Sequence, residues 1–159
     1  MNLELKIPPP ALAALIAAAM WGAARLLPQW QAFAAARIGA VAAAGVLAVI
    51  VGAAAVTFSA AAIAAFVRAR TTINPTTPGA TSTLVSSGVF AITRNPMYLG
   101  LLCFLIAWAI LLSSLWALCG PVVFVAYIAR FQIAPEERAL AAQFGAEYAA
   151  YKARVRRWL

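Results

Sequence analysis

The chain has 159 residues, 65% hydrophobic and only 10% charged, with 12 Lys and Arg against 4 acidic residues. Soluble domains carry about 25% charge. With a mean hydropathy of +0.92, the chain reads as an integral membrane protein of one compact unit (residues 1–159), too short for a separate soluble catalytic domain. Histidine and aspartate are absent and there are only two cysteines, Cys103 and Cys119. That excludes a Ser-His-Asp machine and leaves no ligand set for zinc or haem, so no metal is expected.

Residues 1–9 are a short lead ending at a proline run, Pro8-Pro9-Pro10. Proline suits the first helical turn, so a first membrane helix is expected over 10–27. Lys6 precedes the apolar stretch as in a signal peptide, but no cleavage site follows, and the helix is read as retained. Pro28, Gln29 and Gln31 mark a turn. A second apolar run over 38–67 would reach about 45 Å at 1.5 Å per residue, beyond a hydrocarbon core of about 30 Å. It is expected to project from the bilayer, carrying Arg68 and Arg70 on its end. Ala40, Ala44, Ala48 and Gly52 recur every four residues along it. Such spacing either lets a neighbouring helix approach closely or is plain apolar filler.

The connection over 71–96 contains Pro75, Pro78, Gly79, Gly88 and Pro96, which argues against a continuous helix. Its Leu84, Val85, Val89, Phe90 and Ile92 are too apolar for a solvated tether, so it is expected to pack back onto the protein. Residues 97–112 and 115–131 form two more apolar runs joined at Ser113-Ser114. As two short spans or as a hairpin, they return the chain to the side it left. Both cysteines lie in these runs and read as packing residues. From Pro135 the pattern changes: Leu140, Phe144, Tyr148 and Tyr151 form one apolar and aromatic stripe, predicting an amphipathic helix over 135–152 weakened at Gly145. Arg154, Arg156 and Arg157 beside Trp158 suit an anionic membrane interface.

The expected fold is therefore all-α: a membrane bundle of about four transmembrane helices, the last two a tight hairpin, plus a C-terminal amphipathic helix. Arg68, Arg70 and Arg94 before the hairpin, and six Lys and Arg after it, place these segments and the N-terminus in the cytoplasm of a bacterial inner membrane. Arg25 and Arg37 flank the opposite turn and count against this orientation. The basic excess sits at helix ends, so membrane lipids rather than nucleic acid are the expected partner.

Two short segments hold the only dense polar chemistry, and the topology brings them to one membrane face. The first is Arg94-Asn95-Pro96-Met97-Tyr98-Leu99-Gly100, and the second is Glu136-Glu137. Each residue also has a structural explanation. Arg94 could anchor the interface, Asn95 and Pro96 could start a helix, Tyr98 could be an interfacial aromatic, and Gly100 a packing contact. Helix-dipole stabilisation accounts for one glutamate after Pro135, and less well for two in a chain with four acids.

The segment GVFAITRNPMYLG, from Gly88 to Gly100, followed by EERALAAQFGAEYAAYKARV, resembles the isoprenylcysteine carboxyl methyltransferase family, grouped more broadly with the phospholipid methyltransferases. The likeness covers roughly 71–158. It implies a membrane enzyme that uses S-adenosylmethionine in a pocket at the cytoplasmic surface and takes a lipophilic or lipidated substrate from the bilayer. Carried over, Arg94, Asn95, Pro96, Tyr98, Leu99 and Gly100 would line the cofactor pocket. Gly88 and Phe90 would shape its adenosine end, and Glu136 and Glu137 would hold the cofactor's polar groups. Arg94, Tyr98 and Glu137 are the catalytic candidates. Asn95 stands where the family often has histidine, which puts a proton-transfer role there in doubt. The ending Val155-Arg156-Arg157-Trp158 lacks the proline of some relatives, which leaves the C-terminal packing open.

Methyl transfer from a sulfonium depends mainly on alignment, which suits a chain poor in metal ligands. A carboxylate acceptor needs no base, whereas an ammonium acceptor must first lose a proton, for which Glu136 or Glu137 is the available group. Two other readings stand beside this one. An NADPH-dependent membrane reductase related to the sterol reductases shares part of the pattern. A non-enzymatic membrane protein would leave the motifs to capping and anchoring. Proton-coupled transport is disfavoured because no ionisable residue lies within 38–67.

Overall fold

The computed structural model describes residues 4–27, 38–70 and 83–159. The expected turn at 28–31, Arg37, and the first part of the long connection fall outside them. Every regular element among the described residues is a helix. Helix α1, Pro9–Leu26, begins with proline in its first turn, where a missing N–H costs nothing. Helix α2, Ile38–Ala69, has 32 residues and at about 1.5 Å each extends well past a hydrocarbon core. Helix α3, Pro96–Leu112, ends where Ser113 turns left-handed (φ 50°). The Ser113 amide bonds back to the carbonyls of Ala109 and Ile110, and its hydroxyl also donates to Ile110. That is the tight turn the Ser-Ser pair predicts.

The last part of the chain differs from expectation. A 3-10 turn, Leu115–Leu118, leads into α4, Cys119–Ile128, and then through a π turn, Ala129–Ile133, directly into α5, Ala134–Arg154. The expected break between a span over 115–131 and a separate helix over 135–152 is absent. Proline in a helix loses one N–H and crowds the carbonyl four residues earlier, here that of Phe131. The π turn relieves that crowding, and the Phe131 carbonyl instead accepts the Leu5 N–H at 3.0 Å. The real interruption is at Gly145, whose φ of 49° and ψ of −119° kink α5.

Among the described residues, three helical stretches are long and apolar enough to cross a membrane, and Pro96–Leu112 is a shorter apolar helix. Helix α1 lies in the cleft between α3 and α4. Leu12, Ile16 and Met20 meet Leu105, Ala109, Phe124 and Ile128 in one buried core. Gly120 makes this approach possible, because a Cβ there would collide with Met20 and crowd Ile16. The Trp108 indole N–H donates to the Ala17 carbonyl at 3.1 Å, joining α3 to α1. Helix α2 packs on the other side of α3. Ala48, Ala55 and Ala62 are buried along that seam, and a Cβ on Gly100 would strike Ser59 Oγ and lie 2.9 Å from the Ala55 carbonyl oxygen. Because lipid is as apolar as leucine, close packing of small residues is what holds such helices together. Val49, Val56, Val67 and Val122 point outward as a lipid-facing surface.

One end of the bundle gathers the polar segments. Glu4 accepts hydrogen bonds from Arg130 and Arg138, tying the N-terminal lead to the helix after α4. The segment before α3 meets the C-terminal tail through the Arg94 N–H, which donates to the Arg156 carbonyl at 3.0 Å.

Candidate active site

The site is built on the turn that precedes α3. Gly88, at φ +60°, starts a 3-10 turn, Gly88–Ala91, in a conformation that side chains disfavour. This turn buries Phe90 edge-on against Phe66 of α2, with ring centroids 5.1 Å apart. The buried Tyr151 hydroxyl donates to the Phe90 carbonyl at 2.7 Å. Gly88 and Phe90 thus form the floor that carries Thr93, Arg94 and Asn95.

The chain's last residues run across this floor as a strap. The Arg157 carbonyl accepts from Asn95 Nδ2 at 2.8 Å and from Thr93 Oγ1 at 3.3 Å. Asn95 occupies the N-cap position of α3 but makes no side-chain cap bond; its Nδ2 donates to the strap instead. The capping role considered for it is therefore corrected.

Around Glu137, three cations meet one anion. Its Oε1 lies 3.0 Å from Arg94 Nη1. The Arg157 guanidinium donates through Nε at 3.1 Å and Nη2 at 2.7 Å, and Lys152 Nζ stands 3.9 Å away. Burial alone would raise the Glu137 carboxyl, but the Arg157 hydrogen bond and the charges of Arg94, Arg157 and Lys152 outweigh it and hold it below its ordinary value. The same hydrogen bond raises Arg157. Arg94 also donates to the Tyr148 hydroxyl at 3.3 Å, whose pKa is raised by burial and then by Glu137. The Arg94 and Glu137 side chains are only 9% and 12% exposed, so this pair is a buried one.

Glu136 faces a different lobe, past the apolar run over 115–131. Its Oε1 accepts from the Tyr98 hydroxyl at 2.5 Å and from Gln132 Nε2 at 2.7 Å. Both donors are neutral. Burial pushes the Glu136 carboxyl up to about 7, with Tyr98 and Gln132 pulling against it and Glu137 adding to the rise. Two consecutive carboxyls are thus driven in opposite directions by their surroundings.

The structure brings Arg94 and Tyr98 together with Glu136 and Glu137 at one end of the bundle, and it pairs Tyr98 with Glu136 rather than Glu137. Pro96, Leu99 and Gly100 are buried. Pro96 opens α3, and Gly100 sits in the α2 seam. Three further residues contribute to the site. Gln132 is the lone polar side chain one helical turn before Glu136, a spacing that puts both on one face. In the sequence Tyr148 belongs to an apolar and aromatic stripe and Arg157 to a basic cluster, patterns that point to packing and to a membrane interface rather than to a site.

A family profile described as phospholipid methyltransferase matches residues 40–147. A Haemophilus influenzae protein described as uncharacterized is 49% identical over 63 residues, which is 40% of this chain and the whole of that protein. No solved structure matches. The profile spans both polar segments and most of the bundle, and the chain belongs to the phospholipid methyltransferase family.

Proposed function

We propose that the protein transfers a methyl group from S-adenosylmethionine to a lipophilic acceptor, at the cytoplasmic face of a bacterial inner membrane. The observation that carries this reading is the convergence of Arg94, Tyr98, Glu136 and Glu137 at one end of a membrane bundle whose family is that of the phospholipid methyltransferases. The end bearing the site also carries Arg68, Arg70, Arg130 and Arg138, the bias expected of a cytoplasmic side.

The residues present fit the amino-acid portion of the cofactor. Arg94 Nε is buried and has no hydrogen-bond partner. A buried N–H without an acceptor is costly, and a carboxylate is the acceptor that best suits a guanidinium. Three cations against one carboxylate leave this lobe an excess of positive charge. Glu136, surrounded by neutral donors, stays clear of that anion-binding lobe and faces the acceptor side. When bound, the cofactor supplies a methyl group already activated by its sulfonium charge.

The chain's own contribution is positional. Arg94 and the strap fix one end of the bound molecules, and Tyr98 holds the Glu136 carboxyl in a single orientation. For a carboxylate acceptor no proton needs to move. For an amine acceptor Glu136 is the base, because a carboxyl near 7 can exchange a proton at neutral pH, whereas Glu137 is locked as an anion.

The test is transfer of a radiolabelled methyl group from S-adenosylmethionine into lipid-extractable product by the purified protein in nanodiscs containing total bacterial lipid. Wild type is expected to label the extract. Arg94→Ala should lose about 100-fold, the scale for removing one preorganised donor. Full activity in a folded Arg94→Ala protein would eliminate that role.

A further inference from the structure

Arg157 contacts no element of the motifs that carry the family resemblance except through Glu137 and the strap, yet it is the best-placed cation in the site. Its backbone carbonyl is held by Asn95 and Thr93, so its Cα cannot drift. Its side chain then reaches Glu137 with two parallel hydrogen bonds, the fork geometry that arginine alone provides. Glu137 shares Oε1 between Arg157 and Arg94, and gives Oε2 to Arg157 at 2.7 Å, with Lys152 Nζ farther off at 3.9 Å. Arg94 therefore reaches Glu137 through Nη1 only, and its Nε is left buried and unpartnered.

We propose that Arg157 is a positioning residue: by occupying Glu137 from the tail side, it prevents Arg94 from closing its own two-pronged pair with that carboxylate, and so keeps Arg94 Nε open for the anionic group of a bound ligand. This rests on the methyltransferase reading for the identity of the ligand. Without Arg157, Glu137 Oε2 keeps only the distant Lys152 Nζ, 3.9 Å away, and the Arg94 guanidinium closes on that oxygen by rotating Nε away from the ligand. The site then loses affinity even though no residue that touches ligand has changed.

The probe is S-adenosylhomocysteine, whose binding to the full-length protein in nanodiscs is followed by calorimetry. Arg157→Gln keeps the backbone bonds of the strap and removes the fork. It is expected to weaken binding at least about 10-fold, the effect of about 1.4 kcal/mol, and Arg157→Lys should recover only part of the loss. In the cycle with Glu137→Gln, the double variant should bind no more weakly than Glu137→Gln by itself, since Arg157 acts through Glu137. Hydrogen exchange of the Arg94 amide, bonded to the Arg156 carbonyl, reports the strap separately and should be unchanged in Arg157→Gln. If Arg157→Gln binds as tightly as wild type, or if the two losses add, the proposal is overturned while the methyltransferase reading stands. Loss of Arg94 amide protection together with binding would also overturn it, reducing Arg157 to a fold residue. A well-folded wild type that binds no S-adenosylhomocysteine would overturn both.

Discussion

Glu136 and Glu137 are neighbours in sequence and opposites in setting. Glu136 looks toward α3 and accepts hydrogen bonds from the Tyr98 hydroxyl and the Gln132 amide. Glu137 looks toward the tail and meets Arg94, Lys152 and Arg157. Neutral donors in a buried place leave a carboxyl able to exchange a proton, while cations fix it as an anion. A helix separates consecutive side chains by about 100°, so one dipeptide can serve two lobes without any extra secondary structure. The pair is thus a boundary between a lobe for proton or cation chemistry and a lobe for anion binding.

The comparison breaks most visibly if the anionic partner is removed. Glu137→Ala leaves the buried Arg94 without its counter-ion, and breaking such a pair costs about 3–5 kcal/mol. Denaturant unfolding in detergent should show that loss, whereas Glu136→Gln, which keeps a hydrogen-bonding group beside Tyr98, should not. The next effect concerns the Tyr98 lobe alone. Gly100→Ala drives a Cβ into Ser59 and the Ala55 carbonyl, and overpacking of this kind costs about 1–3 kcal/mol. It should shift Tyr98, two residues away, and be seen as a lowered melting temperature with the Glu137 cluster intact. Gly145→Ala is the counterpart for the tail lobe. Its φ of 49° and ψ of −119° belong to glycine, and a side chain there costs about 1–3 kcal/mol. Straightening α5 would carry Tyr148, Tyr151 and Arg157 away from Arg94, so Arg94 amide exchange should rise while the Tyr98 environment is unchanged.

A last effect is in the pH dependence of stability, where the two glutamates have opposite signs. Glu136 is raised from 4.5 to about 7, so between these values the folded state holds more protons than the unfolded one. Its contribution is full below about 4.5 and is lost as pH rises through about 7. Glu137 is lowered, so its contribution is present above the unfolded value and is lost as pH falls through the folded one. Glu136→Gln should therefore flatten the decline of stability between pH 4.5 and about 7, the two Glu136 values, and leave the acid limb in place. A decline of unchanged slope in Glu136→Gln would assign it to another group.

Much of the bundle was readable from apolar runs and the Ser-Ser turn, because hydropathy over a whole helix outweighs local detail. The α2 seam was only half legible. The four-residue register through Ala44, Ala48 and Gly52 pointed to small residues, but the buried positions run 48, 55 and 62. Packing along a long seam follows a period nearer seven than four. Pro135 looked like a helix boundary and is not one, since the π turn and the Leu5 N–H compensate for it. Gly145 looked minor and is the actual bend. The two polar motifs stood out because an apolar chain has so little else, and their meeting followed from topology. Which glutamate meets which partner did not follow. That depends on the rotation of the helix entering α5 and on a strap held largely through its own backbone carbonyls, which leave little trace in side-chain pattern.

The most direct measurement is carboxyl ¹³C NMR of glutamate-labelled protein in nanodiscs, titrated from acid to alkaline pH with and without S-adenosylhomocysteine. Its four acidic residues are Glu4, Glu136, Glu137 and Glu147, so variants can assign every signal. The account predicts that Glu136 titrates near 7, that Glu137 titrates below the ordinary glutamate value, and that the ligand moves both while leaving Glu147 unchanged. Ordinary, coincident titration of Glu136 and Glu137, with no response to the ligand, would contradict it.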